Sequence, residues 1–241
     1  MPETPLLTLQ GVQTKIAQYH ILHGVSFTVP RLGITALLGR NGAGKTTTLR
    51  SIMGLWRPFA GSVQLDGVEL SGRRTPAIAR EGIGYVPEGM GIFAGLTVAE
   101  NLTLAARSGP MAQDRLERIL TLFPALRRFW HQPAGILSGG QKQMVSVARA
   151  IVEPRKLLLI DEPTKGLAPA IVDAMAEAFA TLSKETTILL VEQNFDFVAS
   201  IATKAVVMED GRIIHQSPMA DLAQDPALQG RLLGMTGLEA H

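Results

Sequence analysis

The segment Gly39-Arg40-Asn41-Gly42-Ala43-Gly44-Lys45-Thr46 constrains this chain more than any other stretch. It fits the pattern G-x-x-x-x-G-K-T. A short, mostly apolar run, Ile34–Leu38, precedes it and reads as a strand. The run from Lys45 to Gly54 reads as a helix closed by glycine. In such a loop successive backbone N–H groups turn inward and cradle phosphate oxygens, while the helix directs the positive end of its dipole at the same anion. Lys45 is expected to reach the β- and γ-phosphates, and the Thr46 hydroxyl to ligate Mg²⁺. Residues 39–47, Thr47 included, are the expected phosphate contacts. A chance match in a glycine-rich turn arises on the order of once per hundred chains of this length.

The rest of the chain supplies a sheet for that loop. Residues 6–10 and 22–29 read as strands, Ser62–Leu70 as a hairpin turning at Asp66-Gly67, and Ile83–Val86 as a strand. Thr97-Val98-Ala99-Glu100 and Ser138-Gly139-Gly140-Gln141 are capping boxes that open helices, the second helix running to Pro154. Residues 112–129 have helical spacing. Strands resume at 156–160, 186–191 and 204–208 with helices between them, Asp210-Gly211 turns a last hairpin, and short helices follow from Pro218 to Gly234. This alternation predicts an α/β fold: a parallel sheet covered on both faces, with an antiparallel β subdomain at the N-terminal end. The core is expected over 1–94 and 154–241, with a helical lobe at 95–153 inserted in it.

Two further motifs carry chemistry. Leu157-Leu158-Leu159-Ile160-Asp161-Glu162 is an apolar strand ending in two acids. A parallel strand puts its C-terminal tip at the ligand crevice, where Asp161 can hold Mg²⁺ through water and Glu162 can polarise an attacking water. Alone, the pair would more simply be a solvated strand end; the phosphate loop upstream reverses that preference. In Leu137-Ser138-Gly139-Gly140-Gln141 the bland reading is an N-cap. The functional reading contains it, because a helix N-terminus with two glycines can grip a second phosphate.

The phosphate loop, this pentapeptide, the Ile160-Asp161-Glu162-Pro163 strand end and their order together resemble the nucleotide-binding subunit of ABC transporters, over essentially the whole chain. The resemblance implies a P-loop NTPase core, with ATP and Mg²⁺ as ligands and ATP hydrolysis coupled to solute translocation. It implies a head-to-tail dimer with a second ATPase subunit, identical or different, in which Ser138, Gly139, Gly140 and Gln141 face the partner's nucleotide. Lys165-Gly166-Leu167-Ala168 fills the D-loop position. Integral membrane permease subunits would hold the chain at the cytoplasmic face of the inner membrane; the apolar run Gly91–Leu96 reads either as buried core or, by the resemblance, as the groove that receives one of their helices. Tyr85-Val86-Pro87-Glu88-Gly89, Gly166-Leu167-Ala168-Pro169 and Val191-Glu192-Gln193-Asn194 resemble the shorter ATPase subunit of branched-chain (hydrophobic) amino-acid importers and their urea-transport relatives. Such importers also use a periplasmic solute-binding protein. His20-Ile21-Leu22 leans toward the urea group.

Three positions depart from the general family pattern. Glu88 stands where most members have a glutamine; it can ligate Mg²⁺ by an oxygen but adds charge. Gln193 stands where most have the switch histidine; its amide donates but cannot be protonated. For adenine, spacing from Leu22 points to Ile16, with Tyr19 as the nearest aromatic; stacking by Tyr19, apolar contact by Ile16, and Tyr19 as a plain strand residue all remain open. An exporter subunit and a soluble ABC ATPase are the rival readings. Exporters are often fused to membrane helices, and soluble members usually carry paired cassettes.

Composition excludes other classes. Aromatics are 5% and net charge is +2, which argues against a nucleic-acid partner. There is no cysteine, so thiol and thiolate-metal chemistry are absent. Met1–Pro5 lacks a signal-peptide pattern, and no apolar run approaches the ~20 residues of a bilayer span. His20, His23, His131, His215 and His241 show no metal-ligand spacing.

Overall fold

The computed structural model describes residues 4–106 and 111–234. Met1–Glu3 and His241, named in the sequence reading, lie outside them. A four-stranded antiparallel sheet is built from β1 (Leu7–Ile16), β2 (Tyr19–Val29), β4 (Ala60–Leu65) and β5 (Val68–Glu69), in the order β2-β1-β4-β5. The first two strands run longer than the sequence suggests, because their hairpin tightens at Ala17, which takes φ 52°. The Asp66-Gly67 turn forms as expected, with both residues at positive φ.

The second sheet has six strands in the order β10-β9-β3-β8-β7-β6. These are β3 (Ile34–Leu38), β6 (Ile83–Val86), β7 (Leu157–Asp161), β8 (Thr187–Val191), β9 (Lys204–Glu209) and β10 (Arg212–Pro218). All neighbours are parallel except β10, which pairs antiparallel with β9 at the edge. Residues of β3, β7 and β8 are buried throughout, as expected of strands covered on both faces. Alternate side chains divide between two cores. Leu158, Ile160, Ile188 and Leu190 face a helical layer, whereas Leu157, Leu159, Leu189 and Val191 face the antiparallel sheet. This geometry brings the C-terminal tips of β3, β8 and β7 side by side.

Helices α1 (Lys45–Ile52) and α2 (Thr75–Arg80) precede β6. Between β6 and β7, which pair directly, the chain inserts α3 (Val98–Thr103), α4 (Gln113–Leu122), α5 (Ala125–Phe129) and α6 (Gly139–Ala150). The helical spacing over 112–129 resolves into two helices broken at Phe123-Pro124. A proline cannot donate into the preceding turn, and Phe123 leaves the helical region at φ −129°, ψ 71°. The helix expected to run to Pro154 stops at Ala150, and Ile151 caps it. The chain ends through α7 (Pro169–Leu182), α8 (Phe195–Ile201), α9 (Met219–Ala223) and α10 (Pro226–Leu233).

Candidate functional site

The loop from β3 to α1 is shaped by its glycines. Gly39 takes φ 145°, and a Cβ there would sit 2.1 Å from the Met208 carbonyl oxygen of β9, so no other residue fits. Gly44 is the N-cap of α1 at φ 107°; it offers no side-chain cap, and the first turn holds no acid. The orphan amides of that turn are therefore open to an anion. Lys45 is buried, and its Nζ donates to the carbonyls of Gly39 at 2.8 Å and Arg40 at 3.0 Å. Burial pushes its pKa down, while Glu162, Asp161 and Glu192 pull it back up.

Asp161 ends β7 with no exposed surface. Thr46 Oγ1 donates to its Oδ1 at 3.0 Å, and the Tyr85 hydroxyl lies 3.5 Å from Oδ2. Burial raises the Asp161 pKa to about 6; the Thr46 hydrogen bond opposes this, and the charges of Glu162 and Glu88 add to it. Glu162 takes φ 47°, a left-handed conformation costing a non-glycine residue on the order of 1 kcal/mol. Its N–H donates to the Val191 carbonyl at 2.9 Å, and Gln193 Nε2 donates to its Oε1 at 2.5 Å. Beyond it, Lys165 Nζ lies 2.7 Å from Glu88 Oε1 and 3.4 Å from Glu162 Oε2.

Sequence reasoning used Glu192 only as part of a family string. It is a buried carboxylate that accepts four bonds from uncharged donors: Thr164 N–H at 2.8 Å, Thr164 Oγ1 at 2.6 Å, Gln193 N–H at 2.9 Å and Asn194 N–H at 3.2 Å. It ties the loop after β7 to the loop after β8. The available signal was an acid directly after the apolar run Thr187–Val191, the same arrangement as Asp161 after Leu157–Ile160.

A cavity of about 360 Å³ lies over the loop. Asn41, Gly42 and the residues from Gly44 to Thr47 line it from the loop side, Ile16 and Ile21 add an apolar wall, and Glu88, Glu162 and Lys165 a charged one. Gln193 lines an adjoining cavity together with Asn41, Glu162 and Lys165. Tyr19 pairs with Ile16 across the β1–β2 hairpin but is 64% exposed and is not in the cavity wall. Thr46, Asp161 and Glu88 present oxygen donors only, a set that suits Mg²⁺, which takes few carboxylates and keeps several waters.

Ser138, Gly139, Gly140 and Gln141 stand apart from that cavity. They open α6 with a complete capping box: Ser138 Oγ accepts the Gln141 N–H at 3.3 Å, and Gln141 Oε1 accepts the Ser138 N–H at 2.9 Å. Gly140 allows close packing, since a Cβ there would meet Ile171 of α7 at 2.7 Å.

A glycine loop on a six-stranded, mainly parallel sheet, with helices inserted between two paired strands, defines an ATP-binding cassette. Residues 22–165 match the ABC transporter family, and the chain belongs to it. Members of this family are ATPases that power transport. Among particular relatives, the chain is 38% identical to the high-affinity branched-chain amino acid transport ATP-binding protein BraG of Pseudomonas aeruginosa, over 95% of this chain and all of that one. It is 35% identical to the probable branched-chain amino acid transport ATP-binding protein LivF of Archaeoglobus fulgidus, over 90% and 94%. Among solved structures it is similar to cbiO1 of Clostridium perfringens, part of the ABC transporter complex cbiONQ, with TM-score 0.81 and 27% identity over 95% of this chain and 94% of that one.

Proposed function

We propose that this chain is the ATP-hydrolysing subunit of an importer for branched-chain or other hydrophobic amino acids. The observation that carries the solute class is the likeness to BraG over the full length of both chains. The cavity over the phosphate loop supports the chemistry. The amides of residues 39–47 and the Lys45 ammonium bind the phosphates, and Ile16 and Ile21 offer an apolar wall to the base. Thr46, Asp161 and Glu88 hold Mg²⁺, which screens the phosphate charge when bound. Glu162 orients the attacking water and takes its proton, and Gln193 fixes that carboxylate through its 2.5 Å bond.

Ser138–Gln141 lie outside this chain's own cavity, so they serve a second ATPase subunit packed head to tail. Residues 95–153 act as a lobe against the core of 1–94 and 154–241. Among the described residues no helix is long and apolar enough to cross a membrane. By likeness to importer ATPases, attachment to the cytoplasmic face of the membrane runs through permease subunits, with Phe93, 49% exposed, on the segment offered to them. A periplasmic binding protein delivers the solute.

The test is reconstitution with the permease subunits and solute-binding protein of such an importer. Leucine-stimulated ATP hydrolysis that falls ~10²–10⁴-fold in Glu162→Gln, with ATP binding retained, supports the reading. Stimulation by urea or an amide instead of leucine overturns the solute class, and near-normal turnover in the mutant overturns the role of Glu162.

A further inference from the structure

Lys165 sits in a position that the roles proposed above do not use. Its ammonium lies between two carboxylates of the cavity wall, 2.7 Å from Glu88 and 3.4 Å from Glu162. The loop that carries it is held in place. Thr164 is fixed to the buried Glu192 by two bonds, and the Leu167 N–H closes a turn onto the Thr164 carbonyl at 3.1 Å. The other cation of the site, Lys45, is tied to the carbonyls of Gly39 and Arg40 in the loop that leads to α1. Three carboxylates, Asp161, Glu162 and Glu88, thus share the neighbourhood with two ammonium groups.

We infer that Lys165 is a tethered counter-cation at the metal end of the nucleotide cavity, holding Glu88 and Glu162 until Mg²⁺ replaces it, and so sets how strongly nucleotide binding depends on the metal. The inference rests on the proposed ATP site. Its direction follows from charge alone. With Lys165 present, a metal-free triphosphate enters a site in which part of the carboxylate charge is neutralised. Without Lys165 the same anion meets three carboxylates and one ammonium, and binds more weakly. A dication gains by the same change, because no positive charge competes for Glu88 and Glu162. Both effects widen the gap between metal-free and metal-loaded binding. Lys165 is 62% exposed along its side chain, which limits the effect to the range of surface charge pairs. Glu88 stands where a neutral glutamine is usual in the family, so the lysine answers a charge that the glutamine would not bring.

The experiment measures the affinity of the isolated chain for a non-hydrolysable ATP analogue, in EDTA and in saturating Mg²⁺, and takes the ratio of the two dissociation constants. Lys165→Met is expected to raise the ratio of the EDTA value to the Mg²⁺ value about two- to fivefold at low salt, the span of exposed charge pairs. Lys165→Arg keeps the cation and is expected to keep the wild-type ratio. In a Glu88→Gln background the effect of Lys165→Met is expected to shrink by at least half, because one of its two carboxylate partners is gone. A ratio unchanged in Lys165→Met, shifted equally in Lys165→Arg, or shifted by the same factor with and without Glu88 overturns the inference. A wild-type chain that binds no nucleotide in either condition overturns the site itself, and is recognised before any variant is compared.

Discussion

Two helices of this molecule start beside glycines and both N-termini are proposed to meet phosphate, yet they begin in opposite ways. At α1 the N-cap is Gly44, with no side chain to offer, and the first-turn amides are left for a ligand. At α6 the N-cap is Ser138, and with Gln141 it closes a reciprocal box over its own amides. The first end lacks partners until an anion arrives; the second is satisfied without one. With glycine at the N-cap, the uncapped end forgoes only about 0.3 kcal/mol of helix stability in exchange for affinity. A capped end is stable in the single chain and adds its field to a phosphate only when another subunit brings one. The difference fits the proposed division, in which α1 binds and α6 completes a partner's site.

The sharpest way to break this comparison is to change the charge at each end in turn, removing a cation at α1 and introducing one at α6. Lys45→Ala is expected to lower the ATP affinity of the isolated chain on the order of 10²-fold, the worth of a charge-assisted phosphate contact. Ser138→Arg is expected to leave that affinity unchanged and to abolish hydrolysis in the assembled dimer, by at least ~10²-fold, because the guanidinium occupies the place of the partner's phosphate. Isothermal titration of the monomer and turnover of the assembly separate the two; weakened monomer binding in Ser138→Arg would collapse the distinction.

Asp161 gives a smaller effect that belongs to the open end. Burial first, and the neighbouring carboxylates after it, raise its pKa to about 6, above the ordinary carboxylate value of 3.8. A raised carboxyl binds its proton more tightly when folded. The stability it allows is therefore complete below about pH 4 and is lost as pH rises through 6. In nucleotide-free protein Asp161→Asn is expected to be more stable than wild type at pH 7, by roughly 1–2 kcal/mol, with the gain vanishing near pH 4. Thermal melts at the two pH values check this. A mutant no more stable than wild type at pH 7 would mean that the Thr46 bond outweighs the burial.

Gln193 sharpens the comparison on the hydrolysis side. Its neutral amide holds Glu162, whereas a histidine there could also carry charge toward the γ-phosphate. With the partner subunit's site disabled, Gln193→His is expected to raise turnover roughly threefold, charged hydrogen bonds being stronger than neutral ones. An unchanged or lower rate would show that the amide is matched to Glu162. The smallest effect is the cap itself: Ser138→Ala is expected to cost about 0.5–1 kcal/mol in thermal stability, and Thr97→Ala, which removes the equivalent box at α3, about the same.

Much of the site could be read in the sequence because its parts are local. Eight consecutive residues make the phosphate loop, four make each capping box, and Asp161-Glu162 follow an apolar strand. What escaped depends on contacts across many residues. Glu192 meets Thr164 from 28 positions away, and Lys165 meets Glu88 from 77. Neither has a spacing that periodicity can register, since only the parallel pairing of β7 with β8 and of β6 with β7 brings these loops together. The base-binding end shows the same limit from the other side. Counting back from Leu22 selects Ile16 but says nothing of which side chain the β1–β2 hairpin turns toward the loop; the register sets Ile16 in the cavity wall and leaves Tyr19 largely exposed.

The segment that follows Glu88 is fastened along its length. Ser146 of α6 donates to the Met90 carbonyl at 2.5 Å, and Arg149 donates to that of Gly91. The buried Asn101 of α3 takes the Phe93 N–H at 2.9 Å and donates to the carbonyls of Phe93, Leu96 and Thr97. A strap riveted to α6 and α3 has little slack. Any displacement of Glu88 would therefore be felt by the helix that carries Ser138 at its N-terminal end. In mechanical terms the segment is built as a push-rod between Glu88 and α6: it would pass a shift on where a slack loop would absorb it.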